Sequence, residues 1–149
     1  GLCGIIHRYA GRELETYCRT FGAQNHGSVV ITPAFKLPNC KKVIHACGPR
    51  WIDGNQNEEA TLEILYTRII ELAAQEEITS IAIPAISTGI YSFPFEKATR
   101  IALKTCLEMV EQNPMDLIFV NNESKKHEGY QEIYRELSLK KVTSREGEY

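Results

Sequence analysis

The stretch from Thr79 to Phe95, Thr-Ser-Ile-Ala-Ile-Pro-Ala-Ile-Ser-Thr-Gly-Ile-Tyr-Ser-Phe-Pro-Phe, constrains the fold more than any other. Ile81 to Ile86 make an apolar run of buried-strand length, Ser87-Thr88-Gly89 read as a small-residue loop, and a helix is expected to begin near Pro94. A buried strand that empties through a short loop into a helix gathers free backbone N–H groups, two hydroxyls and a helix N-terminus around one point. Oriented N–H groups and the helix dipole both favour negative charge, so this point suits a phosphate or pyrophosphate. Ile90, Tyr91 and Phe93 would wall it with apolar and aromatic surface, which fits a ligand carrying a sugar or base beside its phosphates. The same residues are equally compatible with an ordinary strand-to-helix loop of an α/β domain.

The rest of the chain alternates in the same way. Ile5, Ile6, Tyr9, Leu14, Tyr17, Cys18 and Phe21 fall largely at helical spacing, with Gly11 predicting a kink or a break into two pieces. Gly4, ahead of that helix, would let backbone come close to a ligand. Short strands are expected over Ser28 to Thr32, ended by Pro33, and over Lys42 to Cys47, stopped by Gly48-Pro49. His45 lies inside the second apolar run, where a hydrogen-bonded core histidine is commoner than a chemical one. After a polar loop from Trp51 to Asn57, an amphipathic helix starts at Glu58 and carries Leu62, Ile64, Leu65, Ile69, Ile70, Leu72 and Ala73. A further helix is expected from about Phe95 to Gln112, a strand over Asp116 to Val120, a loop from Asn121 to Ser124 and a last helix from His127 to Leu137. Residues 138–149 are charged and aperiodic and read as a frayed tail.

This order argues for one α/β domain over residues 1–139, three layers deep, with helices on a mixed, largely parallel central sheet and a charged tail over 140–149. Ligands of such sheets bind at the carboxyl ends of strands, where the Ser87 loop lies. A hydrophobic fraction of 43% and a charged fraction of 24% describe an ordinary globular chain, which argues against disorder and membrane insertion. The net charge of -2 gives no general pull on nucleic acid or acidic lipid, so any polyanion binding has to be local. Five cysteines, an odd number without a C-x-x-C pair, point to reduced thiols and a cytoplasmic or nuclear setting, with Cys18, Cys47 and Cys106 as core packing. The four histidines lack the i, i+4 spacing that zinc uses, and no metal site or cofactor is expected.

Four segments, in order, resemble the macrodomain, an ADP-ribose-binding family. They are Gly1-Leu2-Cys3-Gly4-Ile5-Ile6-His7 with Ala10-Gly11, then Gly27 to Pro33, then Val43 to Trp51, and Ile83 to Pro94, the most specific of the four. The resemblance runs over roughly residues 1 to 137 and implies a three-layer α/β/α domain with ADP-ribose in a cleft. It implies that Ser87, Thr88, Gly89, Ile90 and Tyr91 surround the diphosphate, with Tyr91 beside the distal ribose and Phe93 in the same wall. It further implies that Gly1, Leu2, Cys3 and Gly4 end an opposing glycine-rich loop.

The departures from the family matter as much. Macrodomains usually begin with two further strands, carrying an adenine-binding aspartate and an Asn-Ala-Ala-Asn stretch, and one of these strands lies inside the sheet. Neither segment is present in these residues, which would leave N–H and C=O groups unpaired and apolar faces exposed, so the expectation is an N-terminally incomplete macrodomain belonging to a longer protein, a gap filled by another segment or chain, or a rearranged sheet. Cys3 stands where hydrolytic members carry an aspartate proposed to act on the attacking water, and a thiol does not do that work without a strongly lowered pKa. Asn121 stands where many members stack an aromatic residue on adenine, and Ser92 replaces a frequent glycine. The resemblance therefore implies a module for ADP-ribose or mono-ADP-ribosylated protein first, a mono-ADP-ribosyl-protein glycohydrolase second, and a degenerate protein-interaction scaffold third.

Overall fold

The computed structural model describes residues 2–146, and the elements follow in the order α1 (Leu2–Ala10), α2 (Arg12–Arg19), β1 (Val29–Pro33), β2 (Lys42–Ala46), α3 (Glu58–Gln75), β3 (Ser80–Pro84), α4 (Phe95–Gln112), β4 (Asp116–Val120) and α5 (Ser124–Glu146). Gly11 divides the first helical segment in two because its φ of 89° lies where a side chain is strained. Its N–H still donates to the His7 carbonyl, so α1 closes before the chain turns into α2.

The α/β class holds, with one difference in the sheet. Among the described residues the strands form two separate ladders: β1 pairs antiparallel with β2, Val30 opposite His45, and β3 pairs parallel with β4, Ile83 opposite Phe119. A largely parallel single sheet is therefore replaced by one antiparallel and one parallel pair. No ladder joins β2 to β3 among the described residues, so each keeps an edge of N–H and C=O groups without a strand partner.

The core lies where α3 and α4 pack on each other and against strand residues of both ladders, Val29 and Ile44 of the first and Ile83 of the second among them. Leu62, Leu65, Tyr66, Ile69 and Ile70 of α3 meet Ala98, Ala102 and Cys106 of α4 over Ile83, with Ile81, Leu117 and Phe119 packed against them. A second cluster joins Leu103 to Tyr130 and Ile133 of α5. Gly129 makes that closeness possible, since a Cβ there would stand 2.5 Å from Phe95 Cε1. The opposite face of β4 is different: Ile118 and Val120 are 54% and 50% exposed, apolar residues of the kind strands carry when both faces are covered.

The last helix is longer than its apolar pattern suggests. It starts at Ser124, with the His127 N–H donating to the Glu123 carbonyl, and continues to Glu146, across the expected tail boundary at 140. Residues 138–146 include neither glycine nor proline and are rich in residues that favour helix, so loss of periodicity does not end it. Residues 147–149 of the expected tail lie outside the described residues.

Candidate functional site

The carboxyl ends of β2, β3 and β4 converge. After β3 the chain turns through a compact loop in which Thr88 Oγ1 donates to the Ala85 carbonyl at 2.8 Å, the Ser92 N–H to Gly89 at 3.0 Å and the Phe93 N–H to Ser87 at 2.9 Å. Ser87 and Ser92 hold φ of 67° and 57°, a left-handed conformation that costs a non-glycine residue on the order of 1 kcal/mol. That Ser92, in place of the family's frequent glycine, takes a positive φ explains why glycine suits the position. The N–H groups of Gly89, Ile90 and Tyr91 find no acceptor among the described residues, and nothing stands within 4 Å of a Cβ built on Gly89. The loop thus presents free donors beside open space, with the α4 N-terminus two residues beyond Phe93.

Exposure splits the apolar residues of this loop. Phe93 is 2% exposed and belongs to the core, where its ring lies 4.9 Å from that of Trp51. Ile90 at 91% and Tyr91 at 40% face outward and are free to meet a ligand. Phe93, read from the sequence as part of the wall, instead anchors the loop from beneath.

Residues that the sequence did not single out hold the loop in place. Gly48, just after β2, lies against it so tightly that a Cβ there would stand 2.4 Å from Ser87 Oγ and 2.8 Å from Ile86 Cγ2. His26 Nδ1 pairs with the Gly48 carbonyl at 2.8 Å, and its ring meets that of Tyr91 edge-on at 6.1 Å. The Trp51 N–H donates to the Tyr91 carbonyl at 2.9 Å. Trp51 itself is fixed through Glu58, the first residue of α3, whose buried carboxylate accepts the N–H groups of Ile52, Asp53, Gly54 and Gln56 at 2.6–3.1 Å. Burial pushes the Glu58 pKa up, but these backbone donors outweigh it and bring the carboxyl down to about 2. Gly54, at φ 85°, leaves room for the Trp51 ring, which a Cβ would approach to 3.0 Å. The only local signal for this support was an acidic residue closing a polar loop at a helix start.

On the other flank the parallel register sets Pro84 beside Val120, so Asn121 leaves the same end of the sheet as the Ser87 loop. Both polar atoms of the Asn121 side chain are buried without a partner, as is Ser87 Oγ. Such atoms mark places where a ligand or solvent completes the hydrogen bonding. An open groove of about 520 Å³ adjoins Asn121 and is lined also by Asn122, Glu123, Ser124 and His127. Lys126, in the first turn of α5, brings its ammonium within 3.5 Å of Thr88 Oγ1 and 3.7 Å of Glu123. It supplies a cation at the loop that no motif in the sequence announced.

Leu2, Cys3 and Gly4 are placed otherwise than expected. They form the first turn of α1 rather than the end of a loop, Leu2 and Cys3 are exposed, and a Cβ on Gly4 would meet nothing within 4 Å. The apolar periodicity that starts the helix extends back through them, which the glycines concealed. Gly1 lies outside the described residues. No hydrogen bond or ring contact links Leu2, Cys3 or Gly4 to the Ser87 loop among the described residues. All five cysteines are free, and none of the described helices is long and apolar enough to cross a membrane.

Comparison with known proteins bears on this geometry. The Macro domain family model matches residues 1–102. An uncharacterised protein of Fusobacterium nucleatum is 40% identical over 139 residues, covering 92% of this chain and 79% of that protein. The O-acetyl-ADP-ribose deacetylase of Shigella flexneri is 41% identical over 126 residues, 80% of this chain and 71% of its own length. Among solved structures, the Oceanobacillus iheyensis macrodomain with ADP superposes at a TM-score of 0.87 with 33% identity, covering 94% of this chain and 77% of that one. The Trypanosoma brucei macrodomain in complex with ADP-ribose reaches 0.80 with 29% identity, covering 89% and 56%. A strand-to-helix loop with free N–H groups at the carboxyl ends of an α/β sheet, matched over this much of the chain, places the protein in the macrodomain family.

Proposed function

We propose that this chain binds ADP-ribose, free or attached to protein, with the diphosphate on the N–H groups of Gly89, Ile90 and Tyr91. The observation that carries this reading is the free-donor loop, held open by Gly48 beneath and Trp51 beside it. Lys126 adds positive charge at Thr88, Tyr91 offers a half-exposed ring to the distal ribose, and the unpartnered amide of Asn121 gives the purine a hydrogen-bonding partner in place of a stacking one. The relatives solved with ADP and ADP-ribose support the choice of ligand. A reducing compartment, cytoplasmic or nuclear, fits the five free thiols.

A second reading, hydrolysis of an ADP-ribose ester or conjugate, is supported by the name of the Shigella flexneri relative. Cys3, standing where hydrolytic members carry an acid, is exposed on α1 and makes no contact with the Ser87 loop, which favours the binder.

Calorimetric titration with ADP-ribose tests the first reading. Saturable one-to-one binding is expected, and Gly89→Glu is expected to eliminate it by placing a carboxylate in the open space where phosphates would lie. No heat at millimolar ligand, or full affinity in Gly89→Glu, would refute it. Release of ADP-ribose from a mono-ADP-ribosylated protein by the wild-type chain would favour the second reading.

A further inference from the structure

We infer that His7, Cys18 and His45 form a binding site for a divalent transition ion of the zinc type, which bolts α1 and α2 to β2. The three come from three elements, and their donor atoms lie within 4.8 Å of one another. A tetrahedral ion with bonds of about 2.0–2.3 Å spaces its ligands about 3.3–3.8 Å apart. Cys18 Sγ already stands 3.8 Å from His45 Nε2, and the rings of His7 and His45 have centroids 6.3 Å apart. His7 is half-buried in the last turn of α1, and the donor atoms, now up to 4.8 Å apart, would draw together by about 1 Å around the ion. Two imidazoles and one thiolate suit zinc and its neighbours and are poor ligands for magnesium or calcium. The cluster supplies three of the four ligands of such an ion.

The protonation chemistry balances. Thr32 Oγ1 donates to the Pro33 carbonyl at 3.0 Å and lies 3.0 Å from His45 Nε2, so in the metal-free chain it accepts a proton carried on that nitrogen. On binding, the ion takes the Nε2 lone pair, the imidazole proton resides on Nδ1, and the Cys18 thiol gives one proton to solvent as its Sγ–metal bond forms. Burial first, and the adjoining His7 second, hold His45 neutral to lower pH than usual, the form a metal needs. Burial and the nearby Cys3 raise the Cys18 pKa, so in the absence of the ion the thiol keeps its proton.

The cluster escaped the sequence because its members are 11 and 27 residues apart and none of the three pairs has local metal-ligand spacing. It is also independent of the Ser87 loop. The test uses the metal-stripped chain and Co²⁺ as probe, followed by Zn²⁺. One Co²⁺ per chain is expected, with a sulfur-to-metal charge-transfer band and the intense visible bands of a four-coordinate ion, and release of about one proton. Zn²⁺ should displace it and raise the thermal midpoint. Cys18→Ser should lose the charge-transfer band and bind at least tenfold more weakly, His7→Ala should also bind at least tenfold more weakly, and Cys40→Ser, at an exposed thiol outside the cluster, should behave as wild type. Circular dichroism matching wild type in each variant separates lost ligation from lost folding. Absence of saturable binding at micromolar ion, or a Cys18→Ser protein with an unchanged cobalt spectrum, would overturn the proposal.

Discussion

The two walls expected to face a ligand are built on different supports. The Ser87 loop leaves a strand whose Ile83 is buried, enters a helix packed on α3, and rests on Phe93, Gly48 and Trp51. Leu2 to Gly4 belong to a helix that buries only Ala10, leaving Leu2, Ile5 and Tyr9 in contact with water. A loop whose two ends are sunk in a core can hold strained residues such as Ser87 and Ser92, because moving them would disturb packed side chains. Helix α1 adds no residue to that core and has no such constraint. The first wall is therefore preorganised, while the second takes its position from α2 and from the residues around His45.

Substitution can break this contrast, and the largest effect falls in the core beneath the first wall. Leu65→Ala should cost about 2–5 kcal/mol in urea unfolding, while Ile5→Ala on α1 should change stability by less than about 0.5 kcal/mol. Equal losses would mean that both walls are equally supported. Next comes Gly48→Ala, whose methyl would collide with Ser87 and Ile86. It should weaken ADP-ribose binding by about tenfold or more, roughly 1.4 kcal/mol, while leaving far-ultraviolet dichroism unchanged. Unaltered affinity would show that the Ser87 loop is not held from beneath.

The Glu58 network gives a pH test of the same wall. A carboxyl lowered from 4.5 to about 2 by folding contributes stability that is full above 4.5. That contribution is lost as pH falls from about 4.5 toward 2, and Glu58→Gln should flatten this limb of the stability curve. A curve that keeps its acid slope in Glu58→Gln would assign the slope to other carboxylates. The smallest effect belongs to Lys126→Ala. Because Lys126 is partly exposed and shares its charge with Glu123, the loss should be about two- to fivefold in affinity and should shrink as salt is raised. A larger, salt-independent loss would mean that Lys126 contacts the ligand directly in a dry site.

Much of the fold was legible because apolar periodicity and punctuation agree. Gly11 at φ 89° breaks the first helix where the sequence places the interruption, α4 and β4 span the expected residues, and the Ser87 loop sits at the carboxyl end of β3. The far end of α5 was hidden, since a helix of charged residues carries no apolar stripe to read. The supports of the site were hidden for another reason. Gly48 lies 39 residues before Ser87, Glu58 acts on Tyr91 through Trp51, and Lys126 reaches Thr88 from a different helix. None of these relations leaves a trace in local spacing.

By itself, then, the sequence determined the order of strands and helices, the position of the Ser87 loop and the family, because each depends on neighbours within a few residues or on a contiguous motif. Tertiary structure alone decided that the strands form two ladders, that Phe93 points into the core while Ile90 and Tyr91 do not, and that His7, Cys18 and His45 meet. Those outcomes depend on which surfaces close on each other after the chain has folded. Burial and long-range hydrogen bonding fix them, and both act between residues far apart in the chain.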